Sequence, residues 1–152
     1  MKYTTTIDIT LGREQVTSLF VDGDQYPAWQ ESLVSMERLE GETGQEGTRT
    51  KLLHKMGKRE VMMTETITRR ELPDTFVATY EADGVWNEAH NRFSELEGGH
   101  TRWVMDTEFR CSGIMWLMTT LMPGMFRKQT QATMEAFKAF AEGTQGDSPE
   151  DE

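Results

Sequence analysis

The C-terminal third constrains the fold of this 152-residue chain more than any other segment. A Met-rich apolar run, residues 114–122, stops at Pro123-Gly124, and an amphipathic segment continues through residues 125–142. Met115, Met118, Met122 and Met125 recur at steps of three, four and three, the spacing that lines one helical face. Proline lacks the amide for an interior helix bond and clashes with the preceding turn, so a helix broken at Pro123-Gly124 is expected. Thioether side chains are flexible and polarizable, so such a face suits irregular or changeable apolar contents. Nearly everything before the run reads as strand, which predicts a helix closing over a curved sheet with a binding cavity between them.

The strands are read from alternation and turn residues. Residues 3–11 alternate and are rich in Thr and Ile. Two short helices follow, one over residues 13–21 with Val16, Leu19 and Phe20 inward, and one opened by Pro27 within Tyr26-Pro27-Ala28-Trp29. Strands are expected over residues 33–39, 48–56, 59–70, 75–82, 85–96 and 101–111. Asp83-Gly84 is a strong two-residue hairpin signal, and a further turn is expected near Gly98-Gly99. In residues 48–56 one face is largely apolar and the other mainly basic, so that strand is half buried. Strands followed by a helix on one side make an α+β domain, residues 1–142, with no repeat and no second domain. Residues 143–152 are acidic, lack apolar partners and are expected to be disordered.

A formal charge of −10 argues against a nucleic-acid partner, which would need a basic surface. The single cysteine, Cys111, excludes an internal disulfide and fits a reducing cytoplasm. Residues 1–7 run straight into strand sequence without an apolar leader core. The longest apolar run, residues 114–126, falls short of the roughly 20 residues that cross a bilayer. Only Arg127 and Lys128 flank it closely, so no stable membrane association is expected. His54, His90 and His100 lack metal-ligand spacing, and no dinucleotide or phosphate loop is present, so neither metal nor cofactor is expected.

Several segments, in this order, resemble the SRPBCC or START-like (Bet v 1-like) superfamily and, within it, the polyketide cyclase/dehydrase-like group. They are Phe20 through Tyr26-Pro27-Ala28-Trp29, then Gly44-Gln45-Glu46-Gly47-Thr48, then the strand-turn-strand from Glu65 to Pro73. Gly99-His100-Thr101-Arg102-Trp103 and the closing Phe137-Lys138-Ala139-Phe140-Ala141-Glu142 complete the set. The resemblance covers about residues 3–142. It implies a helix-grip fold, a curved antiparallel sheet of six or seven strands around a long C-terminal helix, with two short helices after the first strand and an apolar cavity. Members of the superfamily bind lipids, polyketides or hormones, some cyclise or dehydrate polyketides, and others assist chaperones, so the fold does not fix the function.

Candidate ligand-binding residues are the Met and aromatic set Trp29, Met36, Met63, Tyr80, Trp103, Met105, Met118, Met122 and Phe126, joined by Leu52. Any one of them could simply pack the core, but Met on both lid and sheet is more in keeping with an adaptable pocket. His54 falls on the apolar face of its strand with Leu52 and Met56, and Glu65 on the Val61, Met63, Ile67 face. Each could be a tuned acid or base, or a satisfied core group or strand-end residue. The last hairpin has two registers; the favoured one turns Asn87, Ala89, Asn91 and Phe93 inward and buries no unpaired charge. The reading that follows is a cytoplasmic binder of a hydrophobic or aromatic small molecule, monomeric or homodimeric. Its alternatives are a polyketide cyclase/dehydratase, using His54, Glu65 and Asn91 as candidates, and a chaperone-associated interaction protein with a filled core and an exposed apolar patch.

Overall fold

Alternating sequence pairs off into seven strands because each turn signal closes a hairpin where backbone sterics permit. At Gly57 and Gly84, φ values of +63° and +75° lie in the left-handed region that glycine adopts without cost, and these residues join two tight hairpins. The computed structural model describes residues 1–146. It contains β1 (Lys2–Ile9), α1 (Arg13–Val21), a 3-10 turn (Gly23–Gln25), α2 (Tyr26–Trp29), β2 (Leu33–Glu40), β3 (Arg49–Met56) and β4 (Arg59–Glu71). Then come β5 (Thr75–Ala82), β6 (Val85–Leu96), a 3-10 turn (Glu97–Gly99), β7 (His100–Cys111), α3 (Gly113–Leu121) and α4 (Pro123–Gly146).

The strands form one antiparallel sheet in the order β1-β7-β6-β5-β4-β3-β2. Every neighbour except β1 and β7 is consecutive in sequence. The long strands β4, β6 and β7 curve the sheet around α4, and irregularities in the β2–β3 and β4–β5 pairings add bend. α4 packs chiefly on β1 and touches α1 and α2. Tyr3 ties it to β1: its hydroxyl donates to the Phe126 carbonyl at 3.2 Å and lies 2.7 Å from Thr130 Oγ1. At the other end the Thr10 amide and hydroxyl both donate to Glu142 Oε2 at 2.9 Å.

The core is densest around Phe20 of α1. Its ring lies 5.3 Å from Phe93 and Trp103, 5.4 Å from Phe76 and 6.0 Å from Trp29 and Phe137, mostly edge-to-face. Such contacts add about 0.5–1.5 kcal/mol each beyond the area they bury. Trp103 and Phe137 are wholly buried, and Phe93 stacks on Trp103 at 5.9 Å. The last hairpin turns Ala89, Asn91 and Phe93 into the core, while Trp86 lies under the Arg110 guanidinium at 4.5 Å on the outer face.

Two features depart from the sequence reading. The helix breaks where expected, but α3 and α4 do not continue one Met stripe. Met122 is the break itself, with φ −133° and ψ 55°, so the phase of the stripe is lost there. Met115 and Met118 are half-buried, whereas Met122 and Met125 are 52% and 39% exposed. The acidic stretch expected to be disordered from Gly143 begins inside α4, which runs to Gly146; residues 147–152 lie outside the described residues. Among the described residues no helix is long and apolar enough to cross a membrane.

Candidate functional site

Burial along the inward face of the sheet is graded. On β5, Phe76 and Ala78 are buried but Tyr80 is only partly so; on β6, Phe93, Asn91 and Ala89 are buried and Asn87 is not. On β4 burial weakens from Ile67 and Glu65 to Met63 and Val61, and on β7 Trp103 is covered while Met105 and Phe109 are half covered. The covered ends meet the Phe20 cluster. At the other end α3 follows β7, rests on β7 and α4, and buries none of its own residues. Ile114, Trp116, Leu117 and Leu121 of α3 are 72%, 57%, 47% and 69% exposed. Met63, Tyr80 and Met105 are partly buried and pack against the core, and toward the lid Phe109 meets Phe126 at 5.2 Å between rings. Two open depressions lie elsewhere: one of about 410 Å³ on the outer face of β1, β6 and β7, and one of about 300 Å³ between α1 and the β4–β5 turn.

Glu65 is the strongest electrostatic feature of this interior. It stands directly opposite Tyr80 on β5 and Thr50 on β3, and is 7% exposed. Burial pushes its carboxyl above the ordinary carboxylate range, and the neighbouring Tyr80 hydroxyl only partly opposes this. The Tyr80 hydroxyl is pushed well up by burial first, then by Glu65 and Tyr26. Tyr26 of α2 is raised for the same reasons, burial first, then Glu65 and Asp22, with Arg70 opposing. Three hydroxyl or carboxyl groups from α2, β4 and β5 thus form one electrostatic unit. Sequence reading named Glu65 and Tyr80 singly but missed Tyr26 and the pairing. Trp29, beside Tyr26 at 5.7 Å between rings, is 7% exposed and its indole Nε1–H has no hydrogen-bond partner.

The other expected polar residues are spent or distant. His54 is buried, and its Nδ1 lies 2.8 Å from Ser32 Oγ; burial pushes its pKa below the ordinary imidazole value. Asn91 donates to the Phe76 carbonyl at 3.2 Å and accepts from Trp103 Nε1 at 2.8 Å, so its amide is used on both sides. Asn87 donates to the Glu108 carbonyl at 2.9 Å. His54 pairs with Val61, four residues along β4 from Glu65, or about 13 Å at the usual strand rise. Asn91 lies three strands from His54, about 14 Å across the sheet. The convergence of His54, Glu65 and Asn91 that an acid-base catalyst would require does not form. Leu52 is buried in the core, Met36 is half-buried against it, and Met118 and Phe126 are half-buried on the helical side. Among the described residues no group of three metal-ligating side chains occurs.

The family described as polyketide cyclase / dehydrase and lipid transport matches residues 1–142. The chain belongs to that family. Its helix-grip architecture recurs in solved structures of low sequence identity. A conserved protein from Geobacillus kaustophilus superposes with a TM-score of 0.81 at 14% identity, covering 95% of this chain and 97% of the other. The Zhui aromatase/cyclase from a Streptomyces species gives 0.76 at 15% identity, with 93% of each chain covered. A START superfamily protein from Mycobacterium smegmatis gives 0.76 at 12% identity, covering 94% and 98%. No curated protein matches the sequence. Family and fold place the chain among SRPBCC proteins that bind ligands or act as polyketide cyclases.

Proposed function

We propose that this protein binds a hydrophobic or aromatic small molecule, of lipid or polyketide-like character, between the open half of the sheet and the α3 lid, acting in the cytoplasm as a monomer or homodimer. The observation that carries the reading is the burial gradient: Met63, Tyr80, Met105 and Phe109 face inward yet stay half covered, beneath a lid whose apolar residues lack a partner. Apolar surface left in water at both faces favours an apolar ligand by about 25 cal/mol per Å² covered. Met at several of these positions lets the walls follow the ligand's shape.

The cyclase/dehydratase alternative has less support, since His54 and Asn91 are committed elsewhere and Glu65 with Tyr80 would have to supply all the acid-base chemistry. The exposed apolar lid also suits an interaction protein, but that reading requires a filled core, and the half-covered inward residues of β4 to β7 speak against it. Titration with the neutral fluorophore N-phenyl-1-naphthylamine tests the binder. Saturable one-to-one binding is expected, weakened at least tenfold in Met105→Trp, which fills the interior, and unchanged in Trp86→Ala on the outer face. Equal binding by both variants and the parent would overturn the assignment.

A further inference from the structure

Arg70, opposite Phe76 beyond the β4 irregularity, faces inward and donates to the Gly44 carbonyl; the inward-facing positions of β3 to β7 around Glu65 contain no Lys or Arg. They read Thr50, Leu52, His54; Val61, Met63, Glu65, Ile67; Phe76, Ala78, Tyr80; Asn87 to Phe93; and Trp103 to Phe109 at alternate residues. Most other basic side chains of these strands point outward, where Arg92 and Arg110 pair with Asp106 and Glu108. Among the described residues no cation lies within salt-bridge distance of Glu65. The interior therefore offers hydrogen-bonding groups, Glu65 and Tyr80 opposite each other, Thr50 on the far side of Glu65, and Tyr26 with the unpartnered Trp29 Nε1–H nearby, with no cation paired to Glu65 among the described residues.

Resting on the binding role proposed above, we propose that the site selects uncharged ligands carrying a hydroxyl or carbonyl group, held by Glu65 and Tyr80, and rejects carboxylates such as fatty acids. Directly opposed residues of an antiparallel pair hold their Cβ atoms about 4.5–5.5 Å apart, so one ligand oxygen can meet both side chains. Burial shifts the Glu65 carboxyl toward its neutral form, in which it donates to a carbonyl and, through its second oxygen, accepts from a hydroxyl. A ligand carboxylate entering the same place would lose its hydration with no cation to replace it, and it would face the one carboxyl of the interior. Discrimination between polar groups that a site can and cannot hydrogen-bond exceeds discrimination by size.

Three probes with one ring system test this at neutral pH: naphthalene, 2-naphthol and 2-naphthoate, each titrated by intrinsic tryptophan fluorescence. The expected result is 2-naphthol at least tenfold tighter than 2-naphthoate. Glu65→Leu is expected to remove most of 2-naphthol's advantage over naphthalene while naphthalene binds as before. Tyr80→Phe serves the same purpose should Glu65→Leu fail to fold, as judged by circular dichroism. Equal binding of 2-naphthol and 2-naphthoate, or a preference for the carboxylate, overturns the selectivity and leaves the binding role standing. Failure of all three probes to bind overturns both.

Discussion

Replacing Asn91 with Leu keeps the branched shape of the side chain and removes two hydrogen bonds at the centre of the fold. Asn91 is 3% exposed, and its partners, the Phe76 carbonyl and the Trp103 indole N–H, belong to residues 3% and 0% exposed. The Trp103 indole N–H cannot turn to water and is left orphaned at a cost of about 1–3 kcal/mol, whereas the Phe76 carbonyl stays in the β5–β6 ladder opposite Asn91. Asn91→Leu should lose about 1–3 kcal/mol, which for a chain of this length lowers the melting temperature by roughly 3–10 °C. Urea unfolding followed by tryptophan fluorescence measures it directly. A cycle with Trp103→Phe isolates the side-chain bond: the double variant should be less destabilised than the sum of the singles, with a coupling of about 1 kcal/mol or more. Fully additive losses, or an Asn91→Leu protein within about 0.5 kcal/mol of the parent, which is the range of a neutral surface change, would refute the structural role given to Asn91. The folded variant should still bind N-phenyl-1-naphthylamine, because Asn91 lies at the filled end.

Glu65→Gln should change the pH dependence of stability. The folded carboxyl has a raised pKa, so the stability tied to its neutral form is complete below the ordinary value and is lost as pH rises through the folded one. The amide introduced by the substitution cannot ionise, so the variant should gain on the parent from acid to mildly alkaline pH in urea midpoints; a difference constant with pH would refute this. Gly41→Ala should cost about 2 kcal/mol or more, since φ is +81° and a Cβ would stand 2.9 Å from Thr48 Cα. Gly57→Ala, also at positive φ but with open space around it, should cost only about 1–2 kcal/mol, and thermal unfolding of the pair separates clash from backbone strain.

The fold was legible because its carriers are local. Alternation fixed which residues face inward, Asp83-Gly84 closed the β5–β6 hairpin, and Pro123-Gly124 broke the helix as chain sterics demand. The site was legible only as single residues. Counted back from Glu71 opposite Thr75, an unbroken ladder would set Glu65 against Glu81; the irregularity between Ile67 and Arg69 shifts the register and sets it against Tyr80 instead. No composition signal marks that shift, so the pairing could not be read from spacing. Tyr26 was equally hidden, because it comes from a four-residue helix whose orientation depends on packing against α4 and β2. The lid was misjudged in one respect: helical spacing carries no phase across a residue that leaves helical geometry, and Met122 does so.

The polar groups of the interior sort into two kinds. Some are used up: Asn91 bridges Phe76 and Trp103, and the Thr101 hydroxyl donates to the Leu11 carbonyl at 2.8 Å. Groups spent in this way hold one core in one arrangement, and removing them costs stability. Among the described residues, Thr5 Oγ1 opposite Met105 and the Trp29 indole N–H have no partner, and Glu65 has no cation within salt-bridge distance. An unsatisfied buried group costs about 1–3 kcal/mol. A sequence selected for stability alone would replace it with an apolar side chain of similar size, so its retention beside an adaptable, Met-lined wall points to a polar partner that arrives with the ligand.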